Sequence, residues 1–203
     1  MRIALISEGP SGKEFPGVDG YDEVVGVNGM PALFPCTWWV FIDKEYYVGW
    51  MSRIIGRPHI LTTTALESAM KDHYFRAKGL EERWRDDVLS RRLVFDEQVP
   101  PLPPMPLEVP RHSAGNRAHE PRWTQYTGLA GLVCCWMLAD EKGEKGIVDV
   151  WGVDLCGEGD AHGREGLGRT DDRWRFERQI FEALVTGFET SGDLKVNCPA
   201  EKR

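Results

Sequence analysis

An α/β domain with a mostly parallel sheet flanked by helices is what this sequence predicts, and three observations predict it. First, short apolar runs near the N-terminus each close on a glycine or polar turn residue: Arg2 to Ser7 on Gly9-Pro10-Ser11-Gly12, Glu23 to Val27 on Asn28-Gly29, and Trp38 to Ile42 on Asp43. Buried parallel strands read this way, because both of their faces are covered. Second, Leu129, Leu132, Val133, Trp136 and Met137 recur at helical spacing after Thr127-Gly128, and this helix feeds a further apolar run from Ile147 to Val153. Third, 203 residues with 41% apolar content suffice for one well-buried domain and are short for two. Together they predict a single Rossmann-like domain over residues 1–203, with residues 64–122 as an insertion or cover.

The elements follow in order. The segments linking the first three strands are too short for a full crossover helix at every step, so at least one link must be irregular. Lys44 to Ile55 reads as a helix, Pro58 to Thr62 as a fourth strand and Thr64 to Tyr74 as a capped helix. Residues 76–95 are charged, with Leu80, Trp84, Val88 and Leu89 at helical spacing, which predicts an amphipathic surface helix and then an extended piece, Leu93 to Phe95. Val99 to Pro110 holds six prolines and predicts an extended connector. Arg111 to Arg122 is a polar loop with two histidines and three arginines, leading to the Thr127 helix, in which Ala130, Gly131 and Ala139 permit close approach to a sheet. A glycine-rich segment follows Asp154 and reads as a flap. Asp171 or Asp172 can cap the last helix, whose stripe is Trp174, Ile180, Phe181, Leu184 and Phe188, and Leu194 to Val196 adds a last strand.

Composition narrows the function. A formal charge of −7 disfavours a chain whose main task is to hold nucleic acid, since such proteins carry a basic face that displaces counterions from phosphates. No apolar run approaches the ~20 residues of a membrane helix, and MRIALISEGP has no secretory pattern, so a soluble, cytoplasmic protein is expected. The five cysteines, Cys36, Cys134, Cys135, Cys156 and Cys198, are odd in number and form no CxxC, which suggests neither a disulfide framework nor a thiolate metal site. Cys134 and Cys135 read as core residues and Cys156 as the exposed one. Trp38, Trp39, Trp136 and Trp174 fall on apolar stripes and read as core.

Several residues could carry chemistry. In the loop Glu8-Gly9-Pro10-Ser11-Gly12, bare backbone and a hydroxyl can approach phosphate or ribose, although the loop is neither GxGxxG nor a Walker pattern and a plain turn reads as well. Asn28 could read a base or ribose and Asp43 could accept from a hydroxyl; either could equally be a turn former. Thr127-Gly128 puts a hydroxyl and open backbone at the positive end of a helix dipole, where anions bind. His162 in the glycine-rich flap could be a general base, or simply an exposed loop histidine. Arg164 and Arg169 on that flap, or Arg117 and Arg122 before it, could neutralise a departing phosphate, the alternative being solvated loop arginines. His112 and His119 beside Glu120 have no recognised ligand spacing, so no metal is expected.

In order along the chain, ISEGPSGKEF, the strand ending VVGVN, the TG helix start, IVDVWGVDL and the final helix with LKVNCP resemble the bacterial sialyltransferases of glycosyltransferase family 42 and related phage and bacterial Rossmann-like proteins. The resemblance covers about two thirds of the chain and leaves residues 64–122 unmatched. It implies donor contacts from Gly9, Pro10, Ser11, Asn28, Thr127, Gly128 and Asp154, with His162 as the base. Where that family places a serine between Thr and Gly, this chain reads TGLAG, and its lid lacks the family's tyrosines.

The expected function is therefore a glycosyltransferase-like enzyme: a metal-independent transferase that uses a nucleotide-sugar as donor substrate and needs no further cofactor. A nucleotide or nucleotide-sugar is the expected partner, with no membrane partner; the acceptor and the oligomeric state are open. Two alternatives stand beside it, a non-catalytic protein that binds or sequesters a nucleotide, and a pyrophosphoryl transferase on the same scaffold.

Overall fold

Seven strands lie side by side in the order β5-β4-β3-β2-β1-β6-β7, and each of the six neighbouring pairs is parallel. They are β1 Arg2–Ile6, β2 Glu23–Val27, β3 Trp38–Val40, β4 His59–Thr62, β5 Leu93–Phe95, β6 Gly146–Trp151 and β7 Leu194–Asn197. The computed structural model describes residues 1–63, 82, 84–86, 93–103, 126–154 and 171–198. Among the described residues, α-helices α1 Lys44–Trp50, α2 Thr127–Lys142 and α3 Asp171–Ser191 accompany the sheet, and residues 82 and 84–86 are helical as well. This is a Rossmann-like α/β domain whose described strands are all parallel.

The chain builds outward from β1 to β5, then returns to place β6 on the other side of β1. That reversal makes the gap between β1 and β6 the topological switch point, beyond whose carboxyl end ligands of open α/β sheets collect. Right-handed crossovers in opposite directions put their helices on opposite faces. Accordingly, α1 covers one face, where Tyr47 packs with Trp39, Phe41, Ile60 and the helical Trp84. On the other face α2 and α3 bury Ile3, Leu5, Val25, Val27, Val148 and Val150 under Leu132, Val133, Leu184 and Phe188.

Two links lack an α-helix, as the short spacings require: 3-10 turns at Pro10–Glu14 and Met30–Ala32 join β1 to β2 and β2 to β3. The layer they form packs Phe15, Met30 and Cys36 against Ala4, Ile6 and Trp151. Alternation thus divides β1 residue by residue, Ile3 and Leu5 facing the long helices, Ala4 and Ile6 the loop layer. All along α2, residues 129–139 are buried, and Trp136 stacks on Phe188 of α3 at 5.6 Å. Cys134 and Cys135 are core residues, as are Trp38, Trp39 and Trp136.

Several element boundaries differ from expectation. β1 ends at Ile6, not Ser7, and β3 at Val40, not Ile42. β6 ends at Trp151, because Gly152 turns the chain with φ +74°. α1 ends at Trp50 and not Ile55, since the Arg53 N–H bonds the Trp50 carbonyl in a turn (2.8 Å). The expected helix at 64–74, most of the helix over 76–92, most of the proline-rich connector, the 111–122 loop, Cys156 and the flap after Asp154 lie outside the described residues, as does the side chain of Trp174.

Candidate functional site at the carboxyl edge of the sheet

The carboxyl ends of β1 and β6 are stitched together. Beyond the strands, Ser7 N–H donates to Trp151 O (2.7 Å) and Gly9 N–H to Gly152 O (2.8 Å). Ser11 then closes the pair: its N–H donates to Asp154 Oδ2 (2.9 Å), and its Oγ accepts from the Gly152 N–H (2.8 Å). A side chain at Gly9 would strike Asp154 Oδ2 and Gly152 O, and one at Gly152 would strike Ser7 O. These two glycines let the loops touch. Asp154 therefore stands at the start of the Pro10–Glu14 turn, in the position an anion takes at a helix N-terminus, while Pro10 is exposed.

Gly128, at the start of α2, borders the same place. A Cβ built there would lie 3.7 Å from Ser7 Oγ and 3.7 Å from Val153 Cγ2, an ordinary contact. The cap position is Tyr126, so Thr127 is the first helical residue; the Tyr126 side chain makes no capping bond and the first turn holds no acid. A 16-residue helix thus presents its positive end beside the switch point, with the half-buried Ser7 and Thr127 flanking it.

On the β2 side of β1 the edge has the opposite polarity. Glu8, 5% exposed, accepts from Asn28 Nδ2 (3.1 Å), from the Gly29 N–H (3.1 Å) and from the hydroxyl of Tyr46 on α1 (3.1 Å). Asn28 follows β2 at φ +54°, a left-handed conformation that asparagine tolerates better than most residues, with its carbonyl held by Trp39 Nε1 (2.7 Å). Its Oδ1 is buried without a partner, as is Thr62 Oγ1 at the end of β4. Each such atom costs about 1–3 kcal/mol.

Of the residues expected from sequence, Gly9, Pro10, Ser11, Asn28, Thr127, Gly128 and Asp154 all fall on this one edge, in the loops after β1, β2 and β6 and at the head of α2. Asp43 stands further along it, as the exposed residue before α1. His162, Arg164 and Arg169 lie outside the described residues, as do Arg117, Arg122, His112, His119 and Glu120. Sequence reasoning does not single out Ser7, Glu8 or Tyr46. The one signal for Glu8 is its position, a carboxylate directly following a buried strand. Among the described residues no three His, Cys, Asp or Glu side chains come together as a metal site, and no helix is long and apolar enough to cross a membrane.

Comparison with the models of known families, with curated proteins and with solved structures finds no match.

Proposed function

We propose that this domain binds a nucleotide-sugar across the carboxyl edge of its sheet and transfers the sugar without a metal. One observation carries the reading: the loop after β1, the loop after β6 and the start of α2 meet at the switch point, where a Cβ built at Gly128 would lie 3.7 Å from Ser7 Oγ. The diphosphate or phosphate faces the positive end of α2, away from the carboxylates of Glu8 and Asp154. The base lies toward Asn28.

Chemistry falls to the segment that leaves this edge after Asp154. His162 accepts the acceptor's hydroxyl proton as the bond from sugar to phosphate breaks, and Arg164 or Arg169 offsets the charge on the departing phosphate. Chain connectivity supports this, since these residues follow a strand end that borders the proposed phosphate position.

Thermal unfolding with CMP, UDP, GDP and their sugars, with and without Mg²⁺, tests the binding. One nucleotide-sugar is expected to raise the midpoint and to be slowly hydrolysed in either condition. His162→Ala is expected to lower turnover by about 10² or more with binding kept. A donor bound but left intact indefinitely favours sequestration, strict Mg²⁺ dependence favours pyrophosphoryl transfer, and no shift with any nucleotide ends the reading.

A further inference from the structure

We propose that Glu8 is a specificity-setting residue: it locks the Asn28 side-chain amide so that Oδ1 faces the ligand as an acceptor, and the site therefore takes a nucleobase that presents an amino group there. The inference rests on the nucleotide reading above and names the base class that reading leaves open.

An asparagine amide can be rotated to exchange its oxygen and nitrogen, and only its neighbours decide between the two arrangements. Here the neighbour is a carboxylate, which accepts and cannot donate when ionised. Glu8 already accepts from the Gly29 N–H and from the Tyr46 hydroxyl, both at 3.1 Å. Rotating the Asn28 amide would set Oδ1 against Glu8 Oε2 in place of the present 3.1 Å bond from Nδ2. Two acceptors would then face each other in a site that is 5% and 7% exposed at the two residues. The lock is one-directional.

Oδ1 is therefore held on the far side of the amide, buried and with no partner. A ligand N–H that reaches it relieves the cost of an unpaired acceptor, whereas a ligand carbonyl adds a second acceptor to the same spot. Sites built around a buried polar group discriminate by this asymmetry. The backbone reinforces it. Asn28 is fixed by the bond from Trp39 Nε1 to its carbonyl and by its own N–H to Val40 O, 2.7 and 2.8 Å respectively.

Two matched pairs of nucleotides differ at this point of the base, amino against oxo: CMP against UMP, and AMP against IMP. Calorimetric titration of the full chain should show the amino member of the preferred pair binding about tenfold more tightly. In Glu8→Gln the new side chain can donate as well as accept, so the Asn28 amide can rotate, and the preference should fall to within about threefold. Asn28→Gly suits the positive φ, keeps the backbone bonds, deletes the amide and should erase the preference too. The wild-type comparison stands even where a variant fails to fold. Equal or tighter binding of the oxo member, or a preference unchanged in both folded variants, overturns this assignment while nucleotide binding survives. Failure of every nucleotide to bind overturns the proposed function and this assignment together.

Discussion

Asp149 lies within β6 on the loop-layer face of the sheet, where its carboxylate is held by Arg2 Nε and Nη2 (3.2 and 2.8 Å), by the Tyr21 hydroxyl (3.1 Å) and by Asn197 Nδ2 (2.9 Å). Burial alone would raise its pKa, but the bonds from Asn197, Arg2 and Tyr21, together with the Arg2 charge, outweigh burial and hold it below the ordinary carboxylate range. A carboxylate whose pKa is lower in the folded chain gives stability that is complete above its unfolded value. That stability is lost as pH falls through the folded value, so this part of the acid limb lies below about pH 4. Asp149→Asn should unfold at a lower urea concentration at neutral pH, by about 1–3 kcal/mol, because an amide turned toward Arg2 cannot accept from every donor. It should also show a flatter loss of stability below about pH 4. An acid limb as steep as that of the wild type would show that another group carries it. Tyr21, beneath the Arg2 guanidinium at 4.8 Å from its ring centre, has its pKa raised by burial and by the same carboxylate, which leaves it a neutral donor.

At the scale of elements, two helical glycines make opposite predictions. A Cβ at Gly131 of α2 would lie 2.6 Å from Leu5 Cδ1 and 2.8 Å from Val27 Cγ2, both on residues that are fully buried. At Gly49 of α1 it would meet nothing within 4 Å. Gly131→Ala should therefore destabilise by about 1–3 kcal/mol through overpacking, and Gly49→Ala should stabilise by up to about 1 kcal/mol through helix propensity, both read from urea midpoints. Stabilisation by Gly131→Ala would mean that α2 can lift from β1 and β2 at no cost. The close approach of α2 was legible in its run of small residues, and the strands in their apolar runs, because both patterns are local. Boundaries were less legible: Gly152 stops β6 only because its positive φ lets the chain turn over Ser7. The site was legible as a set of turn residues at strand ends, but what those residues do was not. Ser11 looks like an open hydroxyl until β6 arrives beside β1 and brings Gly152 and Asp154 to it. Glu8 and Tyr46, 38 positions apart, share no periodicity; the parallel order and α1 alone bring them together.

Across the whole molecule, the sheet separates two layers that each hold buried thiols, and these can report whether the layers open together. Cys36 packs in the loop layer with Ala4, Ile6 and Trp151, while Cys134 and Cys135 lie on α2 under the opposite face. Burial pushes the Cys36 thiol up to about 12 and raises that of Cys135 as well. Thiolates are the reactive form, so near pH 8 these cysteines should be labelled only through opening of the structure. The same burial ties stability to alkali: a thiol pKa raised on folding gives stability that is complete below the unfolded value, about 8.5, and is lost as pH rises toward the folded value of about 12. Six pairings run unbroken across the sheet, two of them made by β1, which carries residues of both layers, so neither layer can come away without exposing apolar surface of that strand. With Cys156 and Cys198 replaced by serine, Cys36 and Cys135 should be labelled by a disulfide reagent with equal opening free energies, both matching global unfolding in urea. If Cys36 reacts tenfold or more faster, the layer between β1 and β3 opens by itself; the Glu8, Asn28 and Ser11 edge that emerges from that layer would then be shaped by local opening and not by the sheet as a unit.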